Sequence, residues 1–368
     1  MRIAQVAPLY ESVPPRCYGG TERVVSWLTE KLVELGHEVT LFASGDSVTN
    51  ARLIPCCKAA LRTDPDCVDP MAHHILMIEE VLNLAQDFDL VHFHVDYFHF
   101  IRSRREQVPC ITTLHGRLDI PDLLPLYREF REIPLISISK SQQEPLPWAN
   151  WVGTVHHGMP PDLLTWNESG GGYLAFLGRV SPEKGLPDAI EIAIRSEMPL
   201  KIAAKIDRVD RDYFEQKIKP MLEHPLIEFV GEIGRADKSE FLGNAMALLF
   251  PIEWPEPFGL VMIEAMACGT PVIAYPCGSV PEIILDGVNG FLVQDIGEAV
   301  EAVSKARDFD RRACRRHFEL NFTDDQMARN YLNIYQKLIH PKSASASMGV
   351  EEGVLNWMEV ESQTPSTT

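Results

Sequence analysis

The chain has 368 residues, 45% hydrophobic and 23% charged, a balance that excludes a disordered or fibrous protein. Its length favours two cores, because single cores seldom grow beyond roughly 250 to 300 residues. A formal net charge of -18 argues against nucleic acid as a partner and weakens bulk attraction to anionic lipid.

Residues 3–9 read as a buried parallel strand. No apolar segment behind a basic flank is long enough for a secretory signal or a membrane span. A Pro-rich loop and Gly19-Gly20 follow, then a helix in which Val24, Trp27, Leu28, Leu32 and Leu35 recur at helical spacing. Thr21 is its expected cap and Gly36 its left-handed terminator. Residues 38–43 form the next strand, which completes a βαβ unit with its glycine loop at the carboxyl end of the first strand, where open parallel sheets take ligands. Further strands are expected at 90–94, 110–114 and 135–138, so that residues 1–155 make one parallel α/β domain.

Glycines and prolines between 154 and 172 mark a boundary. The pattern then restarts, with strands at 173–177, 200–204, 227–230, 247–250, 271–274 and 290–293 and a helix at 187–196. Residues 156–322 are accordingly a second domain of the same kind, and the fold class is α/β, two Rossmann-like parallel-sheet domains facing a central cleft. A helix over 323–340 is expected to pack back towards the first domain. The Ser-, Thr-, Glu- and Gly-rich segment 341–368 is expected to be a disordered tail. Eight cysteines without a repeated CxxC spacing suggest reduced thiols of a cytoplasmic protein rather than a zinc site.

The most informative segment runs from Glu253 through Trp254, Pro255, Glu256, Pro257, Phe258, Gly259 and Leu260 to Glu264. It reads as a loop that enters a helix. The amides near Phe258, Gly259 and Leu260 would form a helix N-terminus suited to phosphate. Glu256 and Glu264, eight residues apart, are placed to grip different hydroxyl-bearing parts of one ligand, since a carboxylate accepts from two vicinal hydroxyls.

This segment resembles the E-x7-E signature of the family 4 retaining glycosyltransferases of the GT-B fold. Four other segments resemble the same family: the Gly19-Gly20 loop, Thr113-Leu114-His115-Gly116 at a strand end, the loop from Gly178-Arg179 to Lys184-Gly185, and the turn Gly278-Ser279-Val280-Pro281-Glu282. The last departs from the family pattern in having Ser279 where a second glycine is usual. Together these segments span about residues 3 to 340.

The resemblance implies hexosyl transfer from a nucleotide sugar of the UDP-glucose or GDP-mannose type, with retention of anomeric configuration. Arg179 and Lys184 would neutralise the leaving diphosphate, Glu256 would hold hydroxyls of the transferred sugar, and His115 would face the reacting sugar. Gly19, Gly20, Phe258, Gly259, Leu260, Glu264, Glu282 and Lys205 would contact the donor, with Glu264 on the ribose. Asp96 and His94 would lie on the acceptor side. A front-face displacement, in which the leaving phosphate oxygen takes the acceptor proton, needs no protein nucleophile. No G-x-S-x-G elbow is present to supply one. Neither a metal nor any other cofactor is expected, because Arg179 and Lys184 supply the positive charge.

His92 and His94 share a strand face and invite a metal reading, but a substrate-facing strand edge accounts for them better. Arg102, Arg104 and Arg105, with Leu123, Leu124, Tyr127, Arg128, Phe130 and Arg131, form a basic amphipathic candidate for peripheral contact with the inner face of the cell membrane. A nicotinamide oxidoreductase would need G-x-G-x-x-G directly after a strand, which neither glycine loop provides. A non-catalytic nucleotide-sugar binding protein on the same scaffold is the competing reading. The acceptor is an open question at this level, and base recognition is expected through backbone groups near 230–233.

Overall fold

Each half of the chain builds its own parallel sheet in the computed structural model, which describes residues 1–16 and 19–340; the expected tail lies outside the described residues. The first sheet has seven strands, β1 (Arg2–Val6), β2 (Glu38–Ser44), β3 (Arg52–Cys57), β4 (Leu90–Phe93), β5 (Cys110–Thr113), β6 (Leu135–Ser137) and β7 (Trp151–Thr154), in the order β3-β2-β1-β4-β5-β6-β7. The second has six, β8 (Tyr173–Arg179), β9 (Leu200–Lys205), β10 (Ile227–Gly231), β11 (Ala245–Phe250), β12 (Val272–Ala274) and β13 (Gly290–Leu292), in the order β10-β9-β8-β11-β12-β13.

Central strands such as β4 and β11 are buried along their whole length, as expected of parallel sheets covered on both faces. The two strands absent from the sequence reading are edge strands. β3 contains Pro55 and pairs only with β2, a position where a missing N–H does least harm. β7 is four half-buried residues that include Gly153. The first helix spans Gly20–Glu34, and Gly19 is its N-cap without a side-chain bond, so Thr21 lies inside the helix and caps nothing. Gly36 does terminate it, at φ +83.

In both sheets the strand order reverses beside the first strand, between β1 and β4 and between β8 and β11. Loops at the carboxyl ends diverge at such a switch point and leave a crevice. The two connections between the halves run side by side: Met159 N donates to Phe322 O at 2.9 Å and Asp324 N to Met159 O at 3.1 Å. The helix Asp324–Ile339 then lies against the first domain. Lys31 approaches Asp324 at 3.5 Å, and the phenols of Tyr331 and Tyr335 enter the interior beside β4 and β5.

Gly158 makes the crossing close, because a Cβ there would stand 2.1 Å from Thr323 O. Gly158→Ala is therefore expected to destabilise the chain by about 1 to 3 kcal/mol, the usual scale of overpacking. Gly172→Ala, where nothing lies within 4 Å of the added carbon, serves as the neutral control. Equal thermal midpoints for the two variants would show that the crossing is not a tight contact.

Candidate active site

Two adjoining cavities of ≈ 450 and ≈ 440 Å³ occupy the cleft between the sheets. Gly19, Gly20, His115, Glu256, Gly259 and Leu260 line both. The first cavity extends into the N-terminal domain past His94 and Asp96, and the second into the C-terminal domain past Arg179, Lys184, Lys205 and Glu264.

The cations of the second cavity come from strand ends and one tight turn. Arg179 closes β8 and Lys205 closes β9, and the two are register partners, which sets their side chains at one edge of the sheet. Arg179 Nη2 donates to Glu183 Oε1 at 2.6 Å, and Lys205 Nζ lies 3.0 Å from Asp207. Lys184 ends the turn Pro182–Lys184, and its Nζ lies 2.5 Å from Glu256 Oε2, which also accepts from Trp254 Nε1 at 3.1 Å.

Two glycines bring Lys184 and Glu256 together. Gly185 has φ +67 and presses the lysine turn on β11's end, where a Cβ would fall 1.8 Å from Pro251 O. Gly278 has φ +60 and leaves 2.4 Å between its missing Cβ and Glu256 N. Both conformations cost an L side chain energy even before the clash. Ser279 has its own part in this turn: its N donates to Glu256 O and its hydroxyl to Phe258 O, each at 2.9 Å. The side chain at the departure from the family pattern thus supports the carboxylate loop.

Gly259, at φ +78, starts the helix Leu260–Ala267. Leu260 and Val261, the first residues of that helix, line the second cavity, and their N–H groups have no intrahelical carbonyl to serve. Phe258 is buried and packs its ring on His157 at 4.8 Å, which anchors the loop. Glu264, only 4% exposed, is held by Lys238 Nζ at 2.6 Å, a pairing without which a buried carboxylate would be costly. Gly231 turns the chain at φ +84 after β10, and Glu232, Ile233 and Gly234 join the lining.

On the N-terminal side a hydrogen-bonded chain sets the histidine tautomers. Gln5 Nε2 donates to the Tyr335 hydroxyl at 3.3 Å, which is hydrogen-bonded to His92 Nδ1 at 2.6 Å. Gln5 Oε1 then accepts from His94 Nε2 at 2.8 Å. Burial holds His94 far below its ordinary pKa, so the ring is neutral and its Nδ1 accepts from His115 Nε2 at 2.8 Å. Burial likewise pushes His115 down to about 3, and its Nδ1 is a buried acceptor without a donor among the described residues. Gln142 Nε2 donates to the carbonyls of Leu114 and Gly116, at 2.9 and 2.8 Å, and so holds the backbone on either side of His115. Asp96 follows β4 in the left-handed region, φ 49, and burial pushes its carboxyl up to about 6.

Glu282 is the expected donor contact that the structure places elsewhere. It lines neither cavity and accepts from the amides of Lys140 and Ser141, both at 2.8 Å, and from His156 Nε2 at 3.1 Å. It bridges the two domains, because the helix Val280–Ile283 turns its acidic residue towards the loop that follows β6. Of the basic surface, Arg102 is paired with Glu79 and Glu106, and Arg104 with Glu129 and Glu132, so part of its positive charge is offset. No helix among the described residues is long and apolar enough to cross a membrane. Nor are three or more His, Cys, Asp or Glu side chains among them grouped as metal ligands. His92 is engaged by Tyr335 and by Thr113 Oγ1 at 2.8 Å.

Sequence reasoning missed Lys238, Trp254, Glu22, Tyr10 and Arg62. Trp254 was the most accessible of these, standing inside the glutamate segment. Lys238 precedes Glu264 by 26 positions and meets it only through the packing of two helices, a proximity with no local signature.

Comparison with known proteins follows the two halves. Residues 18–166 match the model of glycosyltransferase family 4, and residues 167–309 that of glycosyl transferases group 1. An uncharacterized glycosyltransferase of Methanocaldococcus jannaschii is 26% identical over 91% of this chain and 98% of its own length. The phosphatidyl-myo-inositol mannosyltransferase of Mycolicibacterium smegmatis is 26% identical, over 80% and 81% respectively. The crystal structure of Anabaena HepE in complex with UDP and glucose shares the fold, with a TM-score of 0.70 at 17% identity over 90% of this chain and 98% of that one. The two models meet end to end across the cleft-forming part of the molecule, and the chain belongs to the group 1, family 4 type of GT-B glycosyltransferases.

Proposed function

We propose that this protein transfers a hexosyl group from a nucleotide diphosphate sugar, of the UDP-glucose or GDP-mannose type, to an acceptor in the N-terminal cavity, with retention of anomeric configuration. The observation that carries this reading is the meeting of Lys184 with Glu256 where the two cavities join, beside Arg179 and Lys205. The UDP and glucose bound by HepE on the same fold favour a uridine donor, whereas the mannosyltransferase relative keeps GDP-mannose in play.

The diphosphate would lie against Arg179, Lys184 and Lys205 and the Leu260 and Val261 amides. Lys184 would exchange its carboxylate partner for a phosphate oxygen, which frees Glu256 to accept from the sugar hydroxyls. Glu264 would do the same for the ribose, and Gly19 and Gly20 would let the first domain approach. As the bond from sugar C1 to phosphate oxygen breaks, negative charge grows on the phosphate, and cations held in place by the fold stabilise it with little reorganisation. The acceptor hydroxyl attacks C1 from the same face, its oxygen forming the new bond while its proton passes to the departing phosphate oxygen. His115, positioned by His94 and Gln142, would border the reacting sugar. A cytoplasmic location is proposed on the seven described cysteines, all free thiols. Contact with the inner face of the membrane would fall to the arginines outside the ion pairs, Arg105 and Arg131 among them.

Lys184→Ala and Glu256→Ala should each lower turnover at least about 100-fold, the scale of a lost electrostatic contact to the transition state. Near-normal turnover in both would remove these assignments. Because fixed cations serve the leaving group, a chelator should leave the rate unchanged; activity that returned only on adding a divalent ion would overturn that expectation. Calorimetry with UDP, GDP and NAD should show tight binding of one diphosphate, lost in Arg179→Ala. Binding of NAD alone would end the transferase reading, and diphosphate binding without turnover on any acceptor would favour a non-catalytic binding protein.

A further inference from the structure

The two cavities differ in charge. The second gathers Arg23, Arg117, Arg179, Lys184, Lys205 and Lys238 around three glutamates, Glu232, Glu256 and Glu264. Among the described residues the first has one cation, Arg62, which lies 3.3 Å from Glu11, and three carboxyls, Glu22, Asp96 and the shared Glu256. Its histidines add no charge. His74 Nδ1 donates to Pro70 O at 2.7 Å and its Nε2 accepts from Leu9 N at 3.0 Å, the pattern of a neutral ring. Burial also holds His94 and His115 neutral.

Glu22 is 5% exposed in the first turn of the helix Gly20–Glu34, and burial pushes its carboxyl up to about 7. The Asp96 carboxyl has burial as the sole cause of its rise. An anion brought beside these groups would add repulsion where nearby positive charge is already too scarce to hold the carboxyls at their ordinary values. Hydroxyls and ammonium groups would instead donate to the Asp96 carboxyl and add to the backbone amides of Glu11 and Glu22 that already serve Glu22.

The same cavity also has aromatic lining. Tyr10 and Phe98 are half-buried and flank His74, at centroid distances of 4.8 and 5.6 Å. Aromatic rings beside carboxyls suit a pyranose, whose C–H face is apolar and whose rim bears hydroxyls. A volume of ≈ 450 Å³ is within the ordinary size of a small-molecule site.

We infer that the N-terminal cavity takes an uncharged or amino-bearing pyranose as acceptor and discriminates against a phosphorylated one, an inference that rests on the glycosyl-transfer reading. The acceptor hydroxyl would meet the donor at Glu256, where the cavities join, with Asp96 and Glu22 holding neighbouring hydroxyl or amino groups.

The test is ligand-observed NMR titration of the full chain saturated with UDP or GDP, whichever binds, so that the cationic cavity is filled. The probes are methyl glucoside, glucosamine and glucose 6-phosphate. Both uncharged and amino probes should bind at least 10-fold tighter than the phosphate, and folded Asp96→Asn should lose most of the preference for glucosamine; Glu22→Gln serves if that variant melts early. Glucose 6-phosphate binding as tightly as the others overturns the inference and leaves the donor assignment intact, as does failure of all three probes to bind, or an unchanged preference in the variants. Absence of any diphosphate binding overturns both.

Discussion

The ion pair between Lys184 and Glu256 organises this molecule, and it exists only because two backbone segments come closer than any side chain would permit. Gly185 lies against the Pro251 carbonyl and Gly278 against the Glu256 amide, each at positive φ. These contacts set the lysine turn of one βα loop against the carboxylate loop of another. The carboxylate loop then leads directly into the helix Leu260–Ala267, whose first residues line the same space. A cation, a carboxylate and the start of a helix are thereby held in one place by the backbone, and groups positioned in advance are those that stabilise charge most effectively.

The same cleft is divided by charge. Strand ends of the second sheet deliver arginine and lysine, whereas the first sheet delivers neutral histidines and carboxyls. A nucleotide sugar is itself divided in this way, with an anionic diphosphate at one end and a polyol at the other. On the proposed function, the polarity of the cleft would give the donor a direction, sugar towards the N-terminal domain and phosphates towards the C-terminal one. His115 belongs to the N-terminal wall, and its tautomer is set by a chain that reaches Tyr335 on the last described helix. That helix starts in the crossing at Met159 and Thr323, so the arrangement of the histidines in the N-terminal wall depends on a segment far away in sequence.

Much was legible from local pattern. Buried parallel strands appear as short apolar runs, and eleven of the thirteen could be placed within a residue or three of their ends; β3 and β7 could not, because an edge strand with a proline and a four-residue strand with a glycine carry no such run. The glutamates and the basic loop stood out because two of the residues that shape them, Gly185 and Gly259, are close in sequence to Lys184 and Glu256, whereas Gly278 reaches Glu256 only through the fold. Glu282 shows where this logic stops. It sits in a segment that resembles a donor-binding turn, yet its carboxylate is taken by the Lys140 and Ser141 amides of the other domain.

The amino-acid sequence by itself determined the two-sheet α/β architecture, the glycine-shaped loops and the identity of the charged groups they carry, because strand burial, turn conformation and helix termination are settled over a few neighbouring residues. Only the tertiary structure decided which groups meet. Lys184 with Glu256, Lys238 with Glu264, Glu282 with the first domain, and Gln5 with both His94 and Tyr335 are all encounters between segments from 26 to 330 positions apart. Pairings over such separations depend on sheet order, on the crossing at Gly158 and on what remains to satisfy a buried polar atom once the backbone is in place.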